Sequence, residues 1–228
     1  MSQDSLLKSR LEEGLAAMEL PVADQARLLD YLRLLAKWNR VYNLTAVRDP
    51  AEMVTRHLLD SLAVLPYLHG ARVLDVGTGA GLPGIPLAIV SAGGSAGGDP
   101  ARRFTLLDSN GKKTRFVQQA VVELGLDNVQ VVHTRTEDFA PPPGERFDTV
   151  LSRAFASIAD MLAGSGRHCA PQGVILAMKG AEPRQELAEL EARPGYGFRV
   201  ERVIPLAVPG LDEARHLVCL SRSERQAR

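Results

Sequence analysis

The sequence predicts an α/β fold: a mostly parallel, seven-stranded sheet with its last strand antiparallel, preceded by a helical extension. Three observations carry this. Up to about Leu68, apolar residues recur at three-to-four spacing, the period of amphipathic helices. After Gly70, short β-rich runs alternate with helical stretches, a pattern that calls for parallel strands joined by right-handed crossovers. The last two β-rich runs have no helix between them, which suits a hairpin and reverses the final strand.

Leu6, Leu7, Leu11, Leu15 and Met18 define a first helix, and Leu28, Leu29, Leu32, Leu35 and Trp38 a second, with Pro21 as the break. Residues 39–49 lack periodicity and are expected to form a loop. Asp49-Pro50 opens a third helix through Met53, His57, Leu58, Leu62 and Leu65, ending near Pro66. Strands are expected at 72–76, 104–108, 129–133, 149–152, 174–178, 198–204 and 216–221, and further helices at 82–90, 112–124, 157–168 and 182–193. This divides the chain into a helical extension (1–68) packed on a core domain (69–228). The stretch Ser-Ala-Gly-Gly-Ser-Ala-Gly-Gly-Asp at 91–99 is expected to be a flexible surface loop without function.

The 228 residues are 45% hydrophobic and 24% charged, an ordinary soluble globular composition. Two cysteines, Cys169 and Cys219, show neither metal-ligand spacing nor a disulfide framework, which fits a reducing, cytoplasmic setting. Cys219 is expected in the core and Cys169 at a helix end. No metal site is expected. Early charges (Asp4, Lys8, Arg10, Glu12, Glu13) leave no signal-type core, and no apolar run is long enough to span a bilayer. Nothing requires more than a monomer. The net charge is zero, so attraction to a nucleic acid would have to come from a local basic face.

The chemistry concentrates between Asp75 and Gly84, where a short apolar strand runs into Asp-Val-Gly-Thr-Gly-Ala-Gly-Leu-Pro-Gly. Glycines there allow a ligand to approach the backbone closely, and are expected to leave N–H groups bare. Gly79, Gly81 and Gly84 match Gly-x-Gly-x-x-Gly, so a dinucleotide is one reading. Pro83 and Pro86 stand where a pyrophosphate wants a clean helix N-terminus, and Asp75 would repel that pyrophosphate. A cation suits Asp75 better: S-adenosylmethionine (SAM) carries an ammonium and a sulfonium, which this carboxylate can attract directly or through water. Asp108 ends the second strand, where it can accept the ribose hydroxyls. Thr136-Glu137-Asp138 follows the third strand, where a carboxylate and a backbone N–H can read adenine or, equally, cap a turn. The three strand-end acids in order favour SAM over NAD. An NAD-linked oxidoreductase and a non-catalytic SAM-binding regulator are the alternatives.

Longer motifs carry a family resemblance. Lys37-Trp38-Asn39, Tyr42-Asn43-Leu44-Thr45, Arg56-His57, Leu59-Asp60-Ser61, Gly81-Leu82-Pro83-Gly84-Ile85-Pro86, Phe104-Thr105-Leu106-Leu107-Asp108-Ser109, Ser152-Arg153-Ala154-Phe155-Ala156, Lys179-Gly180 and Arg215-His216-Leu217-Val218 resemble signatures of the bacterial 16S rRNA (guanine-N7)-methyltransferases RsmG, or GidB. The resemblance implies a class I, Rossmann-like SAM-dependent methyltransferase with an N-terminal helical cap. It implies as substrate a guanosine in the 530 loop of 16S rRNA, within the small ribosomal subunit or an assembly intermediate. Gly77, Leu82, Thr136, Glu137 and Arg153 become the implied cofactor contacts, with Asp75, Gly79, Gly81 and Asp108 beside them. Ala80 stands where many members have proline, and the 91–99 insertion lengthens a connection remote from the pocket.

Guanine N7 carries a lone pair and no proton, so in-line methyl transfer needs no general base, and the enzyme's contribution is orientation. Arg153 is the candidate positioning residue. It could hold O6, a phosphate or the methionine carboxylate, or make a structural ion pair. Asn43, His57, Lys179, Arg215 and His216 are candidate RNA contacts. His57 and Trp38 are also expected to pack the cap onto the core. Arg33, Lys37, Arg40, Arg48, Arg56, Lys112, Lys113 and Arg115 could neutralise phosphates or form mixed charged helix faces. The target guanine would have to be splayed or flipped out of its loop.

Overall fold

A computed structural model describes residues 2–94, 98–153, 155–192 and 194–223. Seven strands form one sheet: β1 (Arg72–Val76), β2 (Arg103–Asp108), β3 (Val129–His133), β4 (Phe147–Ser152), β5 (Cys169–Lys179), β6 (Phe198–Pro205) and β7 (His216–Arg222). Their order is β3-β2-β1-β4-β5-β7-β6. The pairs from β3 through β5 are parallel, and β7 runs antiparallel to both β5 and β6, as the closing hairpin predicts. The chain winds outward from β1 to β3 and then restarts at β4 on the other side of β1. A crevice therefore opens beyond the C-terminal ends of β1 and β4, the usual ligand position in open α/β sheets.

Four helices flank the sheet: α4 (Gly84–Ala92), α5 (Gly111–Leu124), α6 (Ile158–Ser165) and α7 (Arg184–Ala192). Three come first: α1 (Gln3–Ala17), α2 (Gln25–Tyr42) and α3, spanning residues 50–62. Side chains alternate along each strand, so the sheet needs cover on both faces. On one face, Val73, Phe104 and Leu106 share a cluster with Ile85, Ile89, Phe116 and the cap residues Leu11, Leu28, Leu32 and Leu58. On the other, Leu74, Val76, Leu107 and Val150 pack with Ile158 and Met161 of α6. Trp38 lies 5.6 Å from the Phe116 ring, joining α2 to α5.

Several sequence expectations are corrected. Helix α2 continues through residues 39–42, into the expected loop, and stops only where Asn43 turns left-handed (φ 51°). Helix α3 begins as expected, with Asp49 accepting the Ala51 N–H and Pro50 in the first turn. It widens into π turns at Val54–Leu59, resumes at Asp60–Leu62 and gives way to a 3-10 turn at Leu65–Tyr67. Apolar spacing cannot reveal such a widening. Cys169 opens β5, paired with Phe147, where a helix end was expected. Ser91 lies buried in the last turn of α4, not in a surface loop. Residues 95–97 of that stretch, and Ala154, lie outside the described residues. Among the described residues, no helix is long and apolar enough to cross a membrane.

Candidate active site

The turn after β1 holds Gly77, Gly79 and Gly81 at φ 69°, 61° and 87°, a conformation that side chains strain. The glycines divide the work. A Cβ on Gly77 would meet nothing within 4 Å, so its face of the turn is open. A Cβ on Gly81 would come to 2.5 Å from the Ile85 Cγ1 atom, and one on Gly84 to 2.2 Å from the Leu106 Cδ2 atom. Those two let the turn pack down on α4 and β2. The expectation of bare N–H groups is overturned. Gly77 donates to the Leu107 carbonyl (2.8 Å), Gly79 to the Asp108 Oδ2 atom (2.8 Å) and Gly81 to the Thr78 carbonyl (2.9 Å). With these donors spent inside the turn, it is not a phosphate cradle.

Asp75 sits beneath this turn and not on its surface. Its side chain is fully buried, and Oδ2 accepts from the Thr78 hydroxyl (2.7 Å) and the Gly84 N–H (2.9 Å). Its Oδ1 has no hydrogen-bond partner among the described residues. Burial pushes this carboxyl up to about 7 against the pull of those hydrogen bonds. Direct contact with a ligand's ammonium is not how it is placed; it holds the turn onto α4. The Leu82 side chain is likewise buried in the core. Tyr31 of α2, fully buried, donates to the Ala80 carbonyl at 2.7 Å, so the cap reaches the turn directly.

Above the turn, Gly77, Asp108, Ser109, Lys113, Arg135, Thr136, Glu137, Phe155 and Ala156 line a cleft of about 470 Å³. Four of the expected cofactor residues thus meet there, in the expected order of strand ends. Asp108 Oδ1 accepts the Asn110 N–H at 2.7 Å, so Asp108 both pins the turn and borders the cleft. The Arg167 Nη2 atom donates to the carbonyls of Thr136, Glu137 and Phe139, fixing the wall after β3. The open Gly77 face, the Asp108 carboxylate and the inward-turned N–H groups of Gly77, Gly79 and Gly81 fit a nucleoside better than a pyrophosphate.

A second cleft, of about 370 Å³, opens past the ends of β4 and β5 between Val47, Arg56, His57, Asp60, Arg153, Met178, Lys179, Gly180 and Arg215. Four of its residues, Arg56, Arg153, Lys179 and Arg215, carry basic side chains. Arg153 Nη1 donates to the Arg56 carbonyl (3.1 Å) and the Asp60 Oδ2 atom (3.3 Å), while Arg215 Nε donates to Asp60 Oδ1 (3.0 Å). Lys179 donates to both oxygens of Glu186 at 2.9 Å, and Arg56 pairs with Glu213 at 2.5 Å. His57 is buried, its Nε2 2.9 Å from the Thr45 hydroxyl; burial, with the charge of Arg153, pulls its pKa down to about 4, so the ring is neutral. His57, Arg153, Lys179 and Arg215 are therefore brought together. His216 stands at the edge, its Nδ1 2.9 Å from the Gly180 carbonyl. Asn43 stands apart, capping α2 and accepting from Arg48 at 3.2 Å. Asp60 and Phe155 were not singled out as site residues from sequence. Only their membership of longer motifs pointed to them.

The segment leaving β4 separates the clefts: Arg153 faces the basic one, Phe155 and Ala156 the other. Solved structures share this architecture. The glycopeptide N-methyltransferase MtfA complexed with S-adenosyl-L-homocysteine superposes with a TM-score of 0.59 at 15% identity, covering 73% of this chain and 87% of that one. A SAM-dependent methyltransferase from Aquifex aeolicus gives 0.54 at 20% identity, covering 75% and 93%. At such identities the likeness is one of fold. Sequence likeness goes further. The chain is 51% identical over 218 residues to the ribosomal RNA small subunit methyltransferase G of Marinobacter nauticus, covering 95% of each chain. It is 50% identical over 216 residues to the protein of the same name from Hahella chejuensis, covering 94% of this chain and 93% of that one. The family profile described as rRNA small subunit methyltransferase G matches residues 24–218, and the chain belongs to this GidB family.

Proposed function

We propose that this protein transfers the methyl group of SAM to N7 of a guanosine in the 530 loop of 16S rRNA. The observation that carries the reading is the adjoining of two unlike clefts at the exit of β4, one nucleoside-shaped and edged by carboxylate, the other lined by Arg56, Arg153, Lys179 and Arg215. The names of the relatives supply the acceptor class. SAM, when bound, supplies an electrophilic methyl group. The Asp108 carboxylate accepts ribose hydroxyls, the Thr136–Glu137 wall borders adenine, and the open Gly77 face leaves room for the ligand to lie against the turn. The basic cleft takes the acceptor nucleotide, with Arg153 orienting it. His57 is neutral, and no proton has to leave N7, so no residue of the chain is needed as a base. The acceptor is the small subunit or an assembly intermediate, and the protein acts on it as a monomer in the cytoplasm. The absence of net charge supports a particle over naked RNA, for which a neutral protein has little general attraction.

The test compares rRNA from cells with and without the gene. N7-methylguanosine is mapped by chemical cleavage, with purified protein and labelled SAM restoring the mark on subunits from the deletion strain. A 530-loop cleavage site that persists without the gene overturns the reading. SAM binding without transfer to any ribosomal acceptor replaces it with a regulator.

A further inference from the structure

The basic cleft contains one acidic side chain that is itself inside the protein. Asp60 is 2% exposed, yet its two oxygens hold two different guanidinium groups: Arg153 at 3.3 Å and Arg215 at 3.0 Å. The three residues come from distant places, the end of α3, the exit of β4 and the connection entering β7. Both arginines remain partly open to the cleft, 26% and 21% exposed. The other cations there have acids of their own, Lys179 with Glu186 and Arg56 with Glu213. Glu213 reaches Arg215 only at 3.9 Å. Two guanidiniums therefore share one buried carboxylate, and each keeps an edge open to the cleft.

As a device for stability this arrangement is poor, because taking a carboxylate out of water costs about as much as its pairs return. As a device for geometry it is effective. A guanidinium is a planar fork, and fixing one edge fixes the direction of the rest. We propose that Asp60 is a positioning residue of the methyltransferase site: it fixes the planes of Arg153 and Arg215 so that their remaining edges meet the oxygen and nitrogen acceptors of the incoming RNA nucleotide. The inference rests on the functional reading above and extends it to a residue that touches neither substrate nor cofactor. Asparagine in its place can accept from one arginine only, and turns its amide N–H groups toward the other.

The experiment uses the full chain, subunits from a strain lacking the gene, and four variants: Asp60→Asn, Arg215→Ala, the double variant and Arg215→Lys. Each is measured for acceptor kcat/KM, for SAM affinity by calorimetry and for melting temperature. Asp60→Asn is expected to lower acceptor kcat/KM by roughly 10- to 100-fold, the scale of a displaced positioning group. Its SAM affinity is expected to stay within about 2-fold of wild type, and the double variant to be no worse than the poorer single by more than about 3-fold, since residues acting as one unit are not additive. Arg215→Lys, which keeps the charge and loses the fork, is expected to share the defect. Additive losses, SAM affinity falling in step with turnover, or a wild-type rate for Arg215→Lys would each overturn the proposal. If Asp60→Asn does not fold, Arg215→Lys alone decides. A wild-type protein that methylates no small-subunit rRNA removes the functional reading itself, a result distinct from an active wild type with indifferent variants.

Discussion

Asp108 carries two backbone N–H groups, from Gly79 and Asn110, on its two oxygens, and still borders the nucleoside cleft. Asp108→Ala is therefore expected to weaken SAM binding by more than a lost ribose contact alone, at least about 1.5–3 kcal/mol in calorimetry, because the glycine turn loosens with it. Unchanged affinity would remove it from the site. Asp75 makes a different prediction. Its folded pKa, about 7, lies above the 3.8 of an ordinary aspartate, because burial outweighs its hydrogen bonds. Below about pH 4 the folded and unfolded chains both hold the proton. Between there and 7 the unfolded chain releases it and the folded chain keeps it, so this residue's contribution to stability falls as pH rises and levels off above 7. Asp75→Asn is expected to flatten that slope in denaturant titrations between pH 5 and 8. A slope unchanged from wild type would refute the assignment. The sequence exposed these acids as a set at strand ends but not their orientation, since a residue's position in a motif does not say whether it faces the cleft or the core. Asp60 was harder still to read, because its role depends on two arginines 93 and 155 positions away.

At the scale of elements, helix α2 and the glycine turn are joined by the Tyr31 hydroxyl on the Ala80 carbonyl, both fully or nearly buried. Tyr31→Phe leaves that carbonyl without a partner. The expected cost is about 1–3 kcal/mol in denaturant midpoint analysis, with weaker SAM binding alongside. A variant with lowered stability and undiminished affinity would mean that the bond serves the fold alone. The elements themselves were largely legible. Six of the seven strands lie within two residues of their expected positions, because β-rich runs bounded by turns have few other uses. What escaped was decided by contacts the sequence does not display. Residues 39–42 stay helical because Asn39 is buried and hydrogen-bonded to the segment that follows, through Val47 and Thr45, although nothing in their spacing says so. β5 reaches back to Cys169 because Phe147 offers it a partner.

For the molecule as a whole, the apolar cluster on one face of the sheet runs without a break into the N-terminal helices, so Leu11 and Phe104 belong to one core. Leu11 is fully buried, and Leu11→Ala is expected to cost about 2–5 kcal/mol. The loss should lower a single transition in which the fluorescence of Trp38 and the far-ultraviolet signal of the sheet melt together. An earlier change at Trp38 alone would mean that the cap unfolds by itself. The widened turns at Val54–Leu59 bear on the same unity. A π turn houses one residue more than ordinary winding requires. Wound as regular α-helix with every residue kept, the segment would carry that extra residue forward and turn everything beyond it by about 100° around the axis. Leu62 would leave its socket, and the carboxylate beneath the two arginines would point elsewhere. One codon's worth of slack in a helix thus keeps the foundation and the chemistry of this enzyme in register.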